Sequence, residues 1–265
     1  HTGLYSSAAS DVYKRQQPSS NAPDLHELAP LLADRQLPAG WAIVGSSGYA
    51  RVAVAEKSGI YYKEFLPRGP LEAFKAWFRG SRATRARRQN DALRAAGFAA
   101  PENLAWGRLG RGHDYLFSRA VPGTGVTAWL REKLVRREGE ALQQRRTLLH
   151  SLGTFIGRLH AAGFIHGDLR TSNVLADYRG GAFHFALIDN ERNLQRRPPP
   201  GRAVLRNLMQ LNMLLPSDLS NRDRMRFFCA WREQQTDLSR AEAALLAREA
   251  YTWAMRRLRA KGKPV

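Results

Sequence analysis

The run FIHGDLRTSNVLA, Phe164 to Ala176, sets a histidine, an aspartate, an arginine and an asparagine between two apolar stretches. A polar loop joining a helix to a strand would account for it without any chemistry. A phosphoryl-transfer site would account for it too, because that reaction is mostly positioning and charge neutralisation. It needs a carboxylate to accept the proton of the attacking hydroxyl, hard oxygen ligands for Mg²⁺, and cations on the phosphates. Asp168 can be the base, Asn173 at the spacing D-x-x-x-x-N can offer a side-chain oxygen to a metal, and Arg170 can reach the transferred phosphate. Downstream, LIDN places Asp189 at the end of a strand; upstream, Lys63 follows a Gly/Ser turn, where a lysine can reach the non-transferred phosphates. H-G-D alone is a weak signal, but joined to the asparagine, the strand-end aspartate and the strand lysine it favours the chemistry.

The elements that must position these residues can be read from the pattern. Trp41–Gly45, Tyr49–Ala55 and Gly59–Phe65 are short, β-branched or aromatic, and separated by SSG and KSG turns, which predicts an antiparallel meander. Leu71–Arg79 and Arg82–Ala96 read as helices, the first with an aromatic stripe of Phe74, Trp77 and Phe78 and the second strongly basic. Strands are expected at Asn103–Leu109 and Asp114–Val121, with PGTG at residues 122–125 as a hinge. Between Ala141 and Ala162, the residues Leu148, Leu149, Leu152, Phe155, Ile156 and Leu159 form one helical stripe, and Gly163 sits where a helix C-terminal glycine belongs. NVLA and Phe183–Asp189 read as strands joined by DYRGG, Asp177–Gly181, a hairpin that brings Asn173 and Asp189 to one sheet edge. Helices follow at about 203–215, 221–235 and 240–260, the last opened by the capping box SRAE.

The pattern H-G-D-L-R-x-x-N followed by I-D, with a lysine in the third strand, resembles the protein-kinase-like fold. More closely it is similar to the bacterial lipopolysaccharide kinases that act on Kdo and heptose of the inner core. YYKEFLPRGPLEAFK, LGTFIGRLHAAGFIHGDLR, LIDNERN and DRMRFF carry the resemblance, which runs from about Ala42 to Trp231. It implies a bilobal α+β protein: an antiparallel-sheet N-lobe at residues 41–121, a hinge at 122–125 and a mainly helical C-lobe at 126–265, after a leader at 17–40. It implies ATP and Mg²⁺ as cofactors, with Asp168 as base, Arg170 beside it, and Asn173 and Asp189 on the metal. By the same resemblance Lys63 holds the ATP phosphates, and Gly45, Ser46, Ser47 and Gly48 cover them. The backbone of Phe117, Ser118, Arg119 and Ala120 meets the adenine, and His166 is structural. Three departures stand out. GSSGYARV has fewer glycines than a usual phosphate loop. The basic helix window holds only Asp91 as an acid to pair with Lys63. And DNE replaces DFG, with a short stretch after it that leaves no room for a long activation segment, which favours a small or saccharide acceptor.

Composition bounds the rest. The 265 residues, 43% hydrophobic, suffice for a core in one large domain or two lobes. Cys229 is the single cysteine, which rules out an internal disulfide and suits a reducing compartment. The net charge is +19 and the pI about 11.0, so partners should be anionic. No nucleic-acid motif accompanies the charge. The expected partners are a lipopolysaccharide precursor, Kdo-lipid A or a core heptose, and an anionic membrane surface; the expected location is cytoplasmic, peripheral on the inner face of the cytoplasmic membrane. Two alternatives keep the fold: a non-catalytic nucleotide-binding protein, and a small-molecule phosphotransferase of the aminoglycoside type. Residues 1–16 contain SSAASDVYKRQ, which resembles the translation of a sequencing-library adapter and is set apart from the fold.

Overall fold

The structure, a computed structural model, describes residues 24–46, 48–67, 80–110, 113–199 and 201–265. The adapter-like segment, the stretch Leu71–Arg79 with its aromatic stripe, and Ser47 lie outside the described residues.

The N-terminal lobe is an antiparallel sheet in the order β1-β2-β3-β5-β4: β1 Trp41–Val44, β2 Ala50–Ala55, β3 Ile60–Phe65, β4 Asn103–Arg108 and β5 Asp114–Arg119. All five strands fall within the predicted windows. Side chains alternate between faces along β3. Tyr62 packs against helix α1, Leu25–Ala33, through a cluster with Leu28, Ala29, Leu32 and Phe117. Phe65, on the opposite face with Lys63, packs against Ala83 and Ala86 of α2, Arg82–Ala95. The segment read as a leader thus contains a helix that helps close the N-lobe core. Leu28, Ala29 and Leu32 form its buried face, while Leu31 is exposed, so a short segment with little pattern still docks.

The C-terminal part is organised on α3, Gly139–Ala161. The predicted stripe is its core face: Leu148, Leu149, Leu152, Ile156 and Leu159 are buried, with Phe155 packed alongside. Burying each such side chain contributes about 2 kcal/mol. Helix α5, Asn221–Glu233, crosses α3 closely, because a Cβ on Gly153 would lie 2.2 Å from the Phe227 carbonyl oxygen. Helices α4, Gly201–Leu211, and α6, Arg240–Arg259, pack on each other, and Ser239 caps α6 through the predicted capping box. Gly163 has φ 84°, as a helix-ending glycine should, and the chain turns from it into β7, Phe164–Ile165. A three-stranded sheet follows, in the order β6-β8-β9: β6 Thr124–Gly125, β8 Val174–Arg179 and β9 Ala182–Leu187. β8 runs on to Arg179, so the predicted DYRGG turn shrinks to Gly180 and Gly181, both at positive φ. Strand β10, Leu194–Gln195, pairs with β7. Among the described residues, no helix is long and apolar enough to cross a membrane.

Candidate active site

The loop between β7 and β8 is fixed from three sides. Behind it, the His166 ring bridges two segments: its Nε2 donates to the Ile188 carbonyl at 2.9 Å, and its Nδ1 accepts from the Asp168 amide at 3.1 Å. Burial holds the His166 pKa below the usual imidazole value, so a neutral ring does both. From below, Asn207 of α4 accepts from the His166 amide at 3.1 Å and donates to its carbonyl at 2.6 Å. From the side, Gly167 lies so close to Arg192 that a Cβ would meet the Arg192 Cβ at 2.1 Å; only glycine fits there.

Asp168 Oδ1 then accepts from Arg170 Nε and from Gln210 Nε2, each at 3.0 Å, while Gln210 Oε1 accepts from the Leu169 amide at 3.0 Å. Gln210 was missed in the sequence: it lies 42 residues downstream of Asp168, in a helix whose pattern says only that it is amphipathic. Arg170 is two-thirds exposed and its guanidinium lies on the Asp168 carboxylate. Asn173 Nδ2 donates to the Asp168 carbonyl at 2.9 Å. The Ile188 amide donates to the Asn173 carbonyl at 3.1 Å, and Val174 pairs with Leu187, so Asn173 and Asp189 do sit at the same end of the β8–β9 hairpin.

Asp189 has φ 62°, a left-handed conformation uncommon for a non-glycine residue. Lys63 donates a hydrogen bond to Asp189 Oδ1. Burial works to raise the Asp189 pKa, but the Lys63 charge and hydrogen bond, aided by the Arg82 charge, outweigh it and hold the carboxyl below its ordinary value. An Asp carboxylate and an Asn amide oxygen, with the Asn nitrogen already engaged, form a hard donor pair that fits Mg²⁺, which takes few protein ligands and fills its shell with water and phosphate oxygens.

The acids that reach Lys63 come from the loop after β9 and not from α2. Asp91 is not one of them: it accepts from Asn103 Nδ2 at 2.7 Å and lies 3.8 Å from Arg87. Instead Glu191, two residues after Asp189, has its Oε2 at 3.7 Å from Lys63 Nζ and its Oε1 at 2.8 Å from Arg82 of α2. Asn190 and Asn193 take part in a relay of amide hydrogen bonds, each 2.9 Å, from Asn103 through Asn90 and Asn190 to Asn193, which at 3.1 Å accepts from the Gly167 amide. The signal was present in the sequence as N-E-R-N after Asp189, but polar residues after a strand look like loop.

Some polar groups of the two predicted nucleotide-binding segments are engaged within the N-lobe itself. Ser46 Oγ donates to the Ala50 carbonyl at 2.7 Å, so this hydroxyl stiffens its own turn. The amides of Arg119 and Ala120 donate to the Glu102 and Gly59 carbonyls at 2.9 and 2.7 Å, and Phe117 and Ser118 lie in the middle strand pair of the sheet. Of Phe117–Ala120, therefore, the Arg119 and Ala120 amides do not face a base; an amide donor would have to come from Val121 or beyond Pro122, which has no N–H.

On the other side of Asp168 lies a cavity of about 420 Å³ whose wall, among the described residues, carries Asp168 as its one acid and seven Lys and Arg side chains. Arg170, Arg192 and Arg206 flank the aspartate, while Arg257, Lys261 and Lys263 reach in from α6 and the tail behind it. Arg131, also on the wall, is paired with Asp218 at 2.8 Å. The cavity's cations come from segments far apart in the chain, which is why the sequence showed charge without showing a site.

A two-lobed fold with a carboxylate-bearing loop, a strand lysine and a strand-end aspartate converging at one cleft defines a protein-kinase-like protein. The chain belongs to the Lipopolysaccharide kinase (Kdo/WaaP) family, whose profile matches residues 58–231, more than half of its length. Among solved structures it is similar to WaaP in complex with acyl carrier protein, at 20% identity and a TM-score of 0.56, covering 84% of this chain and 92% of that one. It is also similar to an aminoglycoside-3'-phosphotransferase of type VIII, at 16% identity and a TM-score of 0.52, covering 84% and 98%. No curated protein sequence matches.

Proposed function

We propose that the protein transfers the γ-phosphoryl group of ATP to a hydroxyl of an inner-core lipopolysaccharide sugar, Kdo or heptose, on a lipid-linked acceptor. Asp168 takes the proton of the acceptor hydroxyl, whose oxygen bonds to the γ-phosphorus as the bond to the bridging oxygen breaks and ADP leaves. Gln210 and Arg170 hold Asp168 Oδ1 and so orient the carboxylate. Lys63 would hold the non-transferred phosphates. Asn173 and Asp189 would hold Mg²⁺, which supplies charge neutralisation at the phosphates.

The observation that carries the acceptor reading is the cationic cavity beside Asp168. A glycolipid bearing carboxylates or phosphates is attracted to it; a polycationic aminoglycoside is repelled. The non-catalytic alternative is disfavoured by the convergence of Lys63, Asp168, Asn173 and Asp189 at one cleft. The excess positive charge suits an enzyme working at the anionic inner face of the cytoplasmic membrane, where each Lys or Arg near the surface contributes about 1 kcal/mol.

The test is to incubate the purified protein with labelled ATP, Mg²⁺ and a panel of acceptors: Kdo-lipid A, a heptose-bearing core glycolipid, an aminoglycoside and a neutral hexose. Label is expected on one of the two glycolipids. Faster transfer to the aminoglycoside would replace this reading with the small-molecule one, and ATP binding without transfer to any acceptor would favour the non-catalytic one.

A further inference from the structure

We propose that Glu191 is the positioning acid of Lys63, supplied by the metal-side loop in place of the helix, and that Arg82 is the clamp that aims it. The inference rests on the nucleotide half of the function proposed above.

Among the described residues, Lys63 has two acids within 4 Å, Asp189 and Glu191. They are not equivalent. Asp189 has a half-exposed side chain and is the residue whose carboxylate a bound metal ion would take. Lys63 then needs another acid to keep its ammonium from following the metal ligand or swinging to water. Glu191 is within reach and buried, with 8% of its side chain exposed. Helix α2 offers no substitute, since its single acid, Asp91, is occupied by Asn103 and Arg87.

The way Glu191 is held argues for aim as much as for adhesion. Arg82 Nε and Nη2 both donate to Glu191 Oε1, at 3.2 and 2.8 Å, which leaves Oε2 as the oxygen turned to Lys63. Arg82 Nη1 donates to the Tyr49 carbonyl at 2.8 Å and the Leu66 carbonyl at 3.3 Å. One guanidinium therefore ties the acid to the end of the turn before β2 and to the end of β3, the strand that carries Lys63. Phe65 completes the frame, with Lys63 Nζ 5.1 Å and the Arg82 guanidinium 5.0 Å from its ring centre. Charge is inverted relative to the usual arrangement: the helix contributes the cation and the loop contributes the acid. Because Asn90 of α2 is also bonded to Asn190, the helix is fastened to the metal-side loop at two places, and the lysine geometry is built into the resting fold.

A merely structural ion pair predicts something different, which sets the experiment. Glu191→Gln and the double variant Arg82→Met/Glu191→Met are compared with wild type for thermal midpoint, Mg·ATP affinity by calorimetry, and kcat and KM with the acceptor found above. The double variant removes both charges of the Arg82–Glu191 pair together, so it decides the matter if the single one is too unstable to assay. If Glu191 positions Lys63, both variants lose about 10²-fold in kcat, the scale set by misplacing a group by an ångström, with the acceptor KM unchanged. A variant with a lowered midpoint but wild-type kcat and Mg·ATP KM, assayed below that midpoint, overturns the assignment and leaves the kinase reading standing. A wild-type protein that binds no Mg·ATP overturns both.

Discussion

The two sides of Asp168 treat charge in opposite ways. On the nucleotide side, Lys63, Asp189, Glu191 and Arg82 form one compact network in which each charge has a partner. On the acceptor side, Arg206, Arg257, Lys261 and Lys263 line a cavity with no acidic partner among the described residues. Burying a charge without a partner is costly, so a network inside the lobe interface must be balanced to persist. Cations on an open wall keep their hydration and stay unpaired until an anion arrives. Paired charge here holds geometry, and unpaired charge marks where a ligand is expected.

The largest effects should come from the residues at the boundary. Asp168→Asn keeps the hydrogen bonds to Gln210 and Arg170 possible in shape but removes the base, so turnover should fall by about 10²–10⁴-fold with Mg·ATP affinity nearly unchanged. Asp189→Asn should instead weaken Mg·ATP binding itself, read by calorimetry. If Asp189→Asn bound Mg·ATP like wild type, Asp189 would belong to the structural network alone and the contrast between its two sides would dissolve.

A smaller effect tests the frame beneath the loop. His160 is fully buried on α3; its Nδ1 accepts from Trp231 Nε1 at 3.0 Å and its Nε2 donates to Asn207 Oδ1 at 3.2 Å, two neighbours that carry no charge. Burial lowers its pKa to about 4. In the unfolded chain the ring titrates near 6.5, so between these values the unfolded state binds more protons and stability rises with pH. The contribution is complete above pH 6.5 and is lost as pH falls through about 4, amounting to about 3 kcal/mol between pH 7 and pH 4. Denaturant melts at the two pH values should show that loss, and His160→Phe should remove this share of it. An unchanged pH slope in the variant would mean that His160 is not buried neutral.

How much of this was legible beforehand follows from how each feature is encoded. The strands of the N-lobe and the stripe of α3 were readable because burial imposes a period of two or 3.6 on apolar residues in one stretch of chain. The loop from His166 to Asn173 was readable because its chemistry is packed into eight residues. Helix α2 was found as a helix but not as a partner, because the face it buries is Arg82, Ala83, Ala86, Asn90 and Leu93, which no hydrophobic pattern reveals. Glu191 and Gln210 escaped for the same reason: each acts on a residue from another segment, and only the fold brings the two together. In sequence, an acid for Lys63 is expected on the basic helix, whereas in the fold Glu191, two residues after Asp189, comes within 3.7 Å of it.

The weakest effects per residue belong to the acceptor wall, and they are the ones that separate its charge from charge in general. Arg257, Lys261 and Lys263 stand on α6 and its tail, beyond the last residue that matches the family profile. Each is exposed to solvent ions, so each alone should matter little: Arg257→Gln, Lys261→Gln or Lys263→Gln should raise the acceptor KM by about three- to ten-fold, the scale of about 1 kcal/mol, with kcat and Mg·ATP KM unchanged. What distinguishes a docking wall from bulk basicity is the salt response. Screening shortens the Debye length from about 30 Å at 0.01 M to about 10 Å at 0.1 M, so the wild-type acceptor KM should climb with ionic strength, and the triple variant should climb less steeply. A control that neutralises three exposed arginines away from the cavity, Arg88, Arg108 and Arg179, removes the same formal charge. If it flattened the salt response as much as the triple variant does, the net charge and not the wall would be steering the acceptor, and the acceptor side would be no more a site than the rest of the basic surface.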